Sequence, residues 1–263
     1  MISFCENLIV EVRNHILEIR LNRPQYLNAL NDRMLEELAI VLEEARTDDD
    51  IRVLILSGSG RGFCSGQDLK ELVTRGDEVN IREHLTRYYD PVIMTLYHMP
   101  KPTIAKIQGI AAGAGMSLAL ACDMRVGSEN AQFAQSFVKI GLVPDSGSSY
   151  FLPRVVGMAR ALELALRGDI ITGESAYSMG LLNQFVSSRQ LDAVTWALAE
   201  RLVQLPSVTL GMIKEAIHQS LDHDFPEQLH LEKQLQHQAA STEAHSIGVQ
   251  AFLNKTLPSY QDL

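Results

Sequence analysis

Two glycine-rich segments and one aspartate carry the chemistry that this sequence could perform. Residues 62–69 read Gly-Phe-Cys-Ser-Gly-Gln-Asp-Leu, residues 109–115 pack three glycines among alanines, and Asp145 follows within Gly-Leu-Val-Pro-Asp-Ser-Gly. Glycine lets a ligand approach the backbone, and the first turn of a helix leaves N–H groups unpaired. Such groups stabilise a bound anion or an oxyanion that develops during a reaction. The sequence therefore predicts that loop amides hold an oxygen while Asp145 moves a proton.

Each glycine loop also has a simpler interpretation, which is close packing of a strand against a helix. For either loop alone that interpretation is the better one. The loops Cys64–Leu69 and Gly113–Met116 share one design, however, and each could aim one N–H at a shared point. Together they favour stabilisation of an oxyanion. The first loop is not a phosphate-binding loop, because the Lys-Ser/Thr pair that should follow it is missing.

Three polar residues have competing interpretations. Pro-Asp-Ser-Gly is an ordinary type I turn sequence, so spacing alone would make Asp145 a turn residue. Ser117 could be a nucleophile beside the second loop, but no His–Asp partnership is readable, and small-residue packing is the preferred interpretation. Asp68 is expected to cap a helix rather than to act as a base. Tyr88 and Tyr89 are expected in an acyl pocket or in the core.

Hydrophobic periodicity predicts a parallel α/β core. Residues 6–22 alternate as a hairpin, and residues 31–46 have the spacing of an amphipathic helix capped by Asn31 or Asp32. Residues 53–56 and 102–107 form buried strands, and residues 109–115 form a tight turn before a helix. Further helices are expected over 69–75, 81–99 and 158–166, a strand over 181–186, and a polar flap over 77–80.

The last third of the chain reads as successive helices, over residues 190–205, 208–221, 226–238 and 245–252. We therefore expect an α/β fold with two parts. Residues 1–200 form the core, and residues 201–263 form a C-terminal helical region that could fold back on the core or pack on another subunit.

Net charge, apolar runs and cysteine content limit the partners and the location that can be expected for this protein. The formal net charge of −9 argues against nucleic acid, whose binding rests largely on Lys and Arg. The chain lacks an apolar run long enough for a membrane span, and its N-terminus has no signal-peptide layout, so we expect no membrane partner and a cytoplasmic location. Cys5, Cys64 and Cys122 are expected to be reduced thiols without metal-ligand spacing, so no metal is expected.

Four motifs together resemble a known family. They are Leu21-Asn-Arg-Pro24 with Asn28-Ala-Leu30, then residues 62–69, 108–115 and 141–147, in the same order nearly end to end. This pattern is similar to the crotonase (enoyl-CoA hydratase/isomerase) superfamily. The resemblance implies a spiral of repeated ββα units with a C-terminal trimerisation region, in a homotrimer or homohexamer. It also implies an acyl-CoA thioester as substrate, with coenzyme A part of that substrate and no separate cofactor.

The resemblance also implies roles for particular residues. By motif position, the thioester carbonyl would lie between the backbone amides of Gln67 and Ala114. The other implied substrate and coenzyme A contacts come from both glycine loops and from the last helix, the latter often across subunits. They are Gln25, Ser65, Asp68, Leu69, Gly113, Ser117, Phe137, Phe252 and Lys255.

The departures from the family pattern are informative. Family hydratases carry two glutamates at the positions that here read Ser117 and Phe137. Hydration needs one group to deprotonate water while another protonates the α-carbon, so efficient hydration is not expected. Asp145, followed by Leu152-Pro-Arg154, resembles the branch that isomerises 1,2-epoxyphenylacetyl-CoA. One carboxylate in an apolar pocket can move a proton between carbons, and burial would raise its pKa.

The resemblance thus favours an acyl-CoA isomerase of phenylacetate or fatty-acid metabolism, acting on a ring-epoxidised phenylacetyl-CoA or an enoyl-CoA. Three alternatives stay open at this point. One is an ordinary enoyl-CoA hydratase that uses other groups. Another is a hydrolytic dehalogenase with Asp145 as nucleophile. The third is a non-catalytic member of the fold that binds acyl-CoA or RNA, although the acidic charge weighs against RNA.

Overall fold

A computed structural model describes residues 5–74 and 80–260 of the chain. The strands are β1 (Leu8–Arg13), β2 (Ile16–Leu21), β3 (Val53–Gly58), β4 (Thr103–Ile107), β5 (Ile110–Ala112), β6 (Met124–Ser128), β7 (Gln132–Ala134), β8 (Ile171–Thr172) and β9 (Gln184–Val186). The helices of the core are α1 (Asp32–Thr47), α2 (Leu69–Thr74), α3 (Ile81–His84), α4 (Asp90–Tyr97), α5 (Ala114–Ala121), α6 (Ser148–Val156), α7 (Met158–Arg167), α8 (Gly173–Ser178) and α9 (Leu191–Val203). The C-terminal helices are α10 (Ser207–Gln219), α11 (Phe225–Ala240) and α12 (Glu243–Asn254).

Within the described residues, the strands form two sheets. The larger has the order β1-β2-β3-β4-β6-β9 and the smaller the order β5-β7-β8. Only β1–β2 and β7–β8 pair antiparallel in this part of the chain. The predicted hairpin over residues 6–22 is confirmed. Asn14 and His15 both have positive φ at its turn (51° and 64°), which matches the right-handed twist of the two strands.

The larger sheet is covered on both faces, as the non-alternating strands predict. Strand β3 is buried along almost its whole length. On one face Val53 and Ile55 pack with Leu191 and Val203 of α9. On the other face the alternate residues of β3 join a core that includes α1, α4 and α5. Because both faces are covered by helices, the strands carry apolar residues without interruption.

A strand of the larger sheet, a strand of the smaller sheet and a helix succeed one another twice in the core. The first unit is β4-β5-α5, and the second is β6-β7 followed by a 3₁₀ turn (Ser136–Ile140) and α6. The expectation of a plain turn over residues 109–115 is wrong in part, since β5 lies within it and pairs with β7. The three residues of this strand, Ile-Ala-Ala, do not alternate between apolar and polar, so hydrophobic periodicity could not predict it.

Several other boundaries follow or correct the sequence. Asn31 is the N-cap of α1, as expected, and its side chain accepts from the Met34 N–H at 3.0 Å. The predicted helix over 81–99 ends at Tyr97 and contains a π-helical turn at Leu85–Tyr89. Helix α6 is not among the helices expected from the sequence, and it contains Pro153.

The predicted flap at 77–80 lies outside the described residues, apart from Asn80, which caps α3. Residue 75, the last residue of the expected helix over 69–75, also lies outside the described residues.

The C-terminal helices follow the expected order. The proposed boundary at residue 200 falls inside α9, which packs on the larger sheet through Ala199 and Val203. Within the described residues, no helix combines the length and the apolar character that a membrane span requires.

Asn28 ties the first glycine loop to the core. It is fully buried with a φ of 55°, and its Nδ2 donates to the carbonyl oxygens of Ser59 (2.9 Å), Gly62 (2.8 Å) and Phe63 (3.2 Å). Its Oδ1 accepts from the Arg23 N–H at 2.9 Å. One amide side chain therefore holds the loop that leaves β3.

Asn28→Ala should lower the free energy of unfolding by about 1–3 kcal/mol, because it leaves buried carbonyl groups without partners. Urea unfolding measures the change. Asn130→Ala is the matched control, since Asn130 is exposed and its side chain donates to the exposed Ser188 hydroxyl. The control should stay within about 0.5 kcal/mol of the unsubstituted protein. Equal small effects of both substitutions would contradict the anchoring role of Asn28.

Candidate active site

The two glycine loops and Asp145 meet at one cavity of about 110 Å³. Gln67, Ala114 and Asp145 all line it. The apolar part of its wall comes mainly from Leu85, Tyr89, Phe137, Ile140 and Leu142. A wider depression of about 740 Å³, beside Arg52 and Arg201, involves neither glycine loop. The smaller cavity is therefore the candidate site, because it gathers the groups that could do chemistry.

The two loops are packed backbone against backbone. The Ala112 N–H donates to the Cys64 carbonyl at 2.9 Å. A Cβ on Gly115 would lie 2.2 Å from that same carbonyl oxygen. A Cβ on Gly66 would lie 2.8 Å from the Ala112 oxygen and 3.4 Å from the Ala114 nitrogen. The packing interpretation and the chemical one therefore hold together, since only glycines allow the loops to approach this closely.

The backbone at Gln67 turns its N–H away from Leu30, its neighbour in a parallel bridge. The Leu30 N–H donates to the Gly66 carbonyl, and the Asp68 N–H donates to the Leu30 carbonyl, both at 2.8 Å. In a parallel ladder, the residue between two such bonded groups directs its own N–H to the opposite side. The N–H of Gln67 therefore points away from Leu30, and Gln67 is one of the residues that line the cavity.

Ala114 is the first residue of α5, so its N–H has no acceptor within the helix. Gly113 precedes it as N-cap with φ 51° and ψ −127°, a conformation that side-chain-bearing residues rarely adopt. A Cβ on Gly113 would lie 3.4 Å from the Ser136 Oγ at the cavity wall. Two backbone donors from two loops thus border one space, which is the arrangement that stabilises an oxyanion.

Asp145 lies in a tight turn that is not the type I turn its sequence suggests. The Ser148 N–H donates to the Asp145 carbonyl at 2.9 Å, and the central residues Ser146 and Gly147 have φ of 51° and 78°. Positive φ at both central positions belongs to the mirror-image I′ class. The fully buried Ser117 hydroxyl donates to the same carbonyl at 3.1 Å. The turn is therefore anchored from α5 as well as internally.

Burial raises the pKa of the Asp145 carboxyl above its ordinary value. The Ser146 hydroxyl, which donates to Asp145 Oδ1 at 3.0 Å, and the nearby His84 oppose that rise only in part. A carboxyl whose pKa moves toward neutrality exchanges protons more readily at physiological pH. The site therefore has a group suited to proton transfer beside the two amides.

His84 and Tyr89 also line the cavity. The sequence indicated Tyr89 as an acyl-pocket or core residue but gave no reason to place His84 there. The Tyr89 hydroxyl donates to Gln67 Oε1, and His84 Nε2 lies 3.4 Å from the same oxygen. Tyr88 is half-buried, with its ring 5.0 Å from that of His84. Helical periodicity gives no sign that His84 and Tyr89 share one side of their segment, because the π-helical turn at Leu85–Tyr89 lies between the end of α3 and Asp90.

The expected binding residues of the first loop divide into two groups. Ser65 and Leu69 line the cavity. Asp68 instead caps α2, accepting from the Glu71 N–H, and pairs with Arg23 at 2.9 Å. Burial opposes ionisation of Asp68, but these hydrogen bonds outweigh it and lower the pKa of Asp68. The prediction that Asp68 caps a helix is confirmed.

The remaining expected residues lie at varying distance from the cavity. Gly113 and Phe137 line it, whereas Ser117 is buried behind the Asp145 turn. Gln25 is exposed in a 3₁₀ turn (Pro24–Tyr26) outside the cavity. The last two expected residues, Phe252 at 82% exposure and Lys255, are on the surface at the end of α12. Within one chain, the structure does not bring these last two to the cavity.

The residues of the site contain no arrangement that suggests a metal. Among residues 5–74 and 80–260, no group of three or more His, Cys, Asp or Glu side chains could hold a metal ion. Cys64 and Cys122 are buried, which raises the pKa of each thiol to about 12. Neither thiol is therefore a nucleophile at physiological pH.

Fold and site together define an α/β protein in which two glycine loops and one buried carboxylate meet at a single cavity. Comparison with known proteins makes this specific. The model of the enoyl-CoA hydratase/isomerase family matches residues 11–263. The chain belongs to that family, and its fold is the crotonase-like spiral of ββα units.

Named relatives include two kinds of enzyme. The chain is 38% identical to the 1,2-epoxyphenylacetyl-CoA isomerase of Escherichia coli strain K12, over 97% of this chain and 98% of that one. It is 40% identical to a probable enoyl-CoA hydratase of Rhodobacter capsulatus, over 95% and 96%. The solved enoyl-CoA hydratase of Bacillus anthracis superimposes with a TM-score of 0.92 at 32% identity, covering 98% of this chain and all (100%) of that chain.

Asp145→Asn should stabilise the protein at neutral pH. Below about pH 4 the carboxyl is protonated in both folded and unfolded chains, so its ionisation changes nothing. As the pH rises through the raised folded pKa, the folded protein must hold a poorly solvated charge, and the free energy of unfolding falls. The variant should therefore melt at a higher temperature at neutral pH, and the difference should disappear in acid.

Asp169→Asn is the control with the opposite sign. The Arg167 and Lys139 side chains hydrogen-bond Asp169 and lower its pKa. That contribution to stability is present at neutral pH and is lost in acid, so this variant should melt slightly lower at neutral pH. Thermal unfolding of both variants across pH makes the comparison. A lower melting temperature for Asp145→Asn at neutral pH would contradict the assigned burial.

Proposed function

We propose that this protein is an acyl-CoA isomerase in which Asp145 is the acid/base group. The N–H groups of Gln67 and Ala114 would both donate to the thioester carbonyl oxygen. The ionised Asp145 would take a proton from carbon, and the electron pair left behind would form an enolate held by the two amides. Asp145 would then return the same proton to a different carbon. The product is an isomer, with no other reactant consumed.

One observation carries this proposal over hydration. Among the described residues, Asp145 is the only carboxylate that lines the cavity. Of the two positions where the resemblance places hydratase glutamates, Ser117 bonds the Asp145 turn and Phe137 forms apolar wall. Hydration divides its work between a group that activates water and a group that protonates carbon. A single buried carboxylate suits proton transfer within one substrate better.

The cavity also supports a ring-bearing acyl group. Tyr89 and Phe137 contribute aromatic wall to a space of about 110 Å³. An apolar cavity of about 150 Å³ holds benzene, so this space is of the order that one ring requires. The relative named as 1,2-epoxyphenylacetyl-CoA isomerase is consistent with such a substrate. We therefore favour a ring-epoxidised phenylacetyl-CoA, with enoyl-CoA as the alternative acyl group.

Assembly completes the proposal. Phe252 and Lys255 are exposed on α12 and do not reach the cavity of their own chain. We expect them to approach coenzyme A on a neighbouring subunit of a homotrimer or homohexamer. A cytoplasmic location and a place in phenylacetate or fatty-acid metabolism would suit this substrate.

Asp145→Asn tests the assigned chemistry. Conversion of a 3-enoyl-CoA to its conjugated isomer should fall by about 10²–10⁴-fold, the range that general acid–base catalysis contributes. Cinnamoyl-CoA, whose absorbance shifts to the red when its carbonyl is polarised, should bind and shift as before. Retained turnover would remove Asp145 from the mechanism. Hydration of crotonyl-CoA faster than isomerisation would favour the hydratase alternative.

Gly66→Ala tests the amide pair. Its Cβ would meet the Ala112 oxygen at 2.8 Å and the Ala114 nitrogen at 3.4 Å, at a φ of +95°. The substitution should push the two loops apart and lower the turnover number by about 10²–10³-fold, as loss of one oxyanion donor does. Gly60→Ala is the matched control, because Gly60 has a φ of +73° in the same loop but its Cβ would meet only Pro24. Equal turnover of the two variants would contradict the amide pair.

A further inference from the structure

The side chain of Gln67 is held by two partners on one oxygen. Tyr89, only 3% exposed, donates its hydroxyl to Gln67 Oε1, and His84 Nε2 lies 3.4 Å from that oxygen. A carboxamide oxygen has two lone pairs, so it can accept from Tyr89 and also from His84 when His84 carries a proton on Nε2. The residue whose backbone N–H is the proposed donor to the thioester is thus also held at the far end of its side chain.

The π-helical turn makes this double contact possible. Tyr89 follows His84 by five residues, which in a regular α-helix would separate them by about 140° around the axis. The wider turn over Leu85–Tyr89, in which the Asp90 N–H donates to the Leu85 carbonyl, brings both to the cavity side. Pro91 follows at once and cannot donate a backbone N–H, which favours the irregular hydrogen bonding.

The support extends into the core. His84 Nδ1 lies 3.7 Å from the Asp32 carboxylate at the start of α1. The rings of Tyr88 and Tyr89 pack against His84 with centroids 5.0 Å and 5.8 Å away. The turn is therefore fixed to α1 on one side and to the first glycine loop on the other.

We propose that Tyr89 is a positioning residue that acts through the Gln67 carboxamide. Its hydroxyl fixes the Gln67 side chain and thereby keeps the Gln67 N–H aimed at the substrate oxygen. The inference rests on the proposed function, because it assumes that this N–H binds the thioester carbonyl. It adds a specific dependence: Tyr89 matters only while residue 67 presents an oxygen to accept its hydroxyl.

A double-mutant cycle tests this dependence. Tyr89→Phe should lower kcat for 3-enoyl-CoA isomerisation by about 10–10²-fold, as misplacement of a reacting group does, with KM little changed. It should also weaken the red shift of bound cinnamoyl-CoA. In the Gln67→Met background, which has no acceptor oxygen, Tyr89→Phe should have no further effect. In the Gln67→Glu background, which keeps an acceptor, the effect of Tyr89→Phe should return.

Tyr97→Phe is the matched control. It removes a hydroxyl that lies 3.2 Å from the Tyr150 hydroxyl, in the helix that continues from the π-helical turn, and it should leave kcat and the red shift unchanged. An equal loss on Tyr89→Phe in the Gln67→Met background would overturn the inference, because Tyr89 would then act directly. Full activity of Tyr89→Phe beside an inactive Asp145→Asn would overturn it too, while the proposed function stands. Active Asp145→Asn would instead remove the proposed function.

Discussion

The close approach of two backbone segments is the constraint on which the site depends. The loop after β3 and the loop between β5 and α5 touch through main-chain atoms, with glycines at 66 and 115 where any side chain would collide. Each loop is fixed by a different part of the core: Asn28 holds the first, and pairing of β5 with β7 holds the second. Because the two N–H groups belong to separate loops, their convergence is a property of the whole fold.

The turn at Asp145 has two features that lower the stability of the folded protein. It places a residue other than glycine, Ser146, at positive φ and holds a carboxyl where burial raises its pKa. Neither feature favours stability. The surroundings compensate through the buried hydroxyl of Ser117, which bonds the turn from the first helical residues of α5. The proposed proton-transfer group and one of the two proposed oxyanion donors are thereby fixed by one short helix.

Much of the fold and part of the site could be predicted from the sequence. The hairpin, α1 with its Asn31 cap, the buried strands and the C-terminal helices follow from periodicity and cap residues, and the motifs indicated the family. The sequence could not reveal β5, because Ile-Ala-Ala carries no alternation, or α6, because Pro153 argues against a helix. The turn at Asp145 differs from the type I turn that its sequence suggests, because Ser146 and Gly147 both have positive φ. The contact of Gln67 with His84 and Tyr89 depends on a π-helical turn that no simple period reveals.

The central claim is that two main-chain N–H groups donate hydrogen bonds to one carbonyl oxygen of the substrate. Isotope-edited infrared difference spectroscopy of cinnamoyl-CoA labelled with carbon-13 at its thioester carbonyl measures this directly. Donation by both N–H groups of Gln67 and Ala114 predicts a carbonyl stretch at clearly lower frequency in the complex than in water. A bound ligand whose stretch stays at or above its frequency in water would contradict the account.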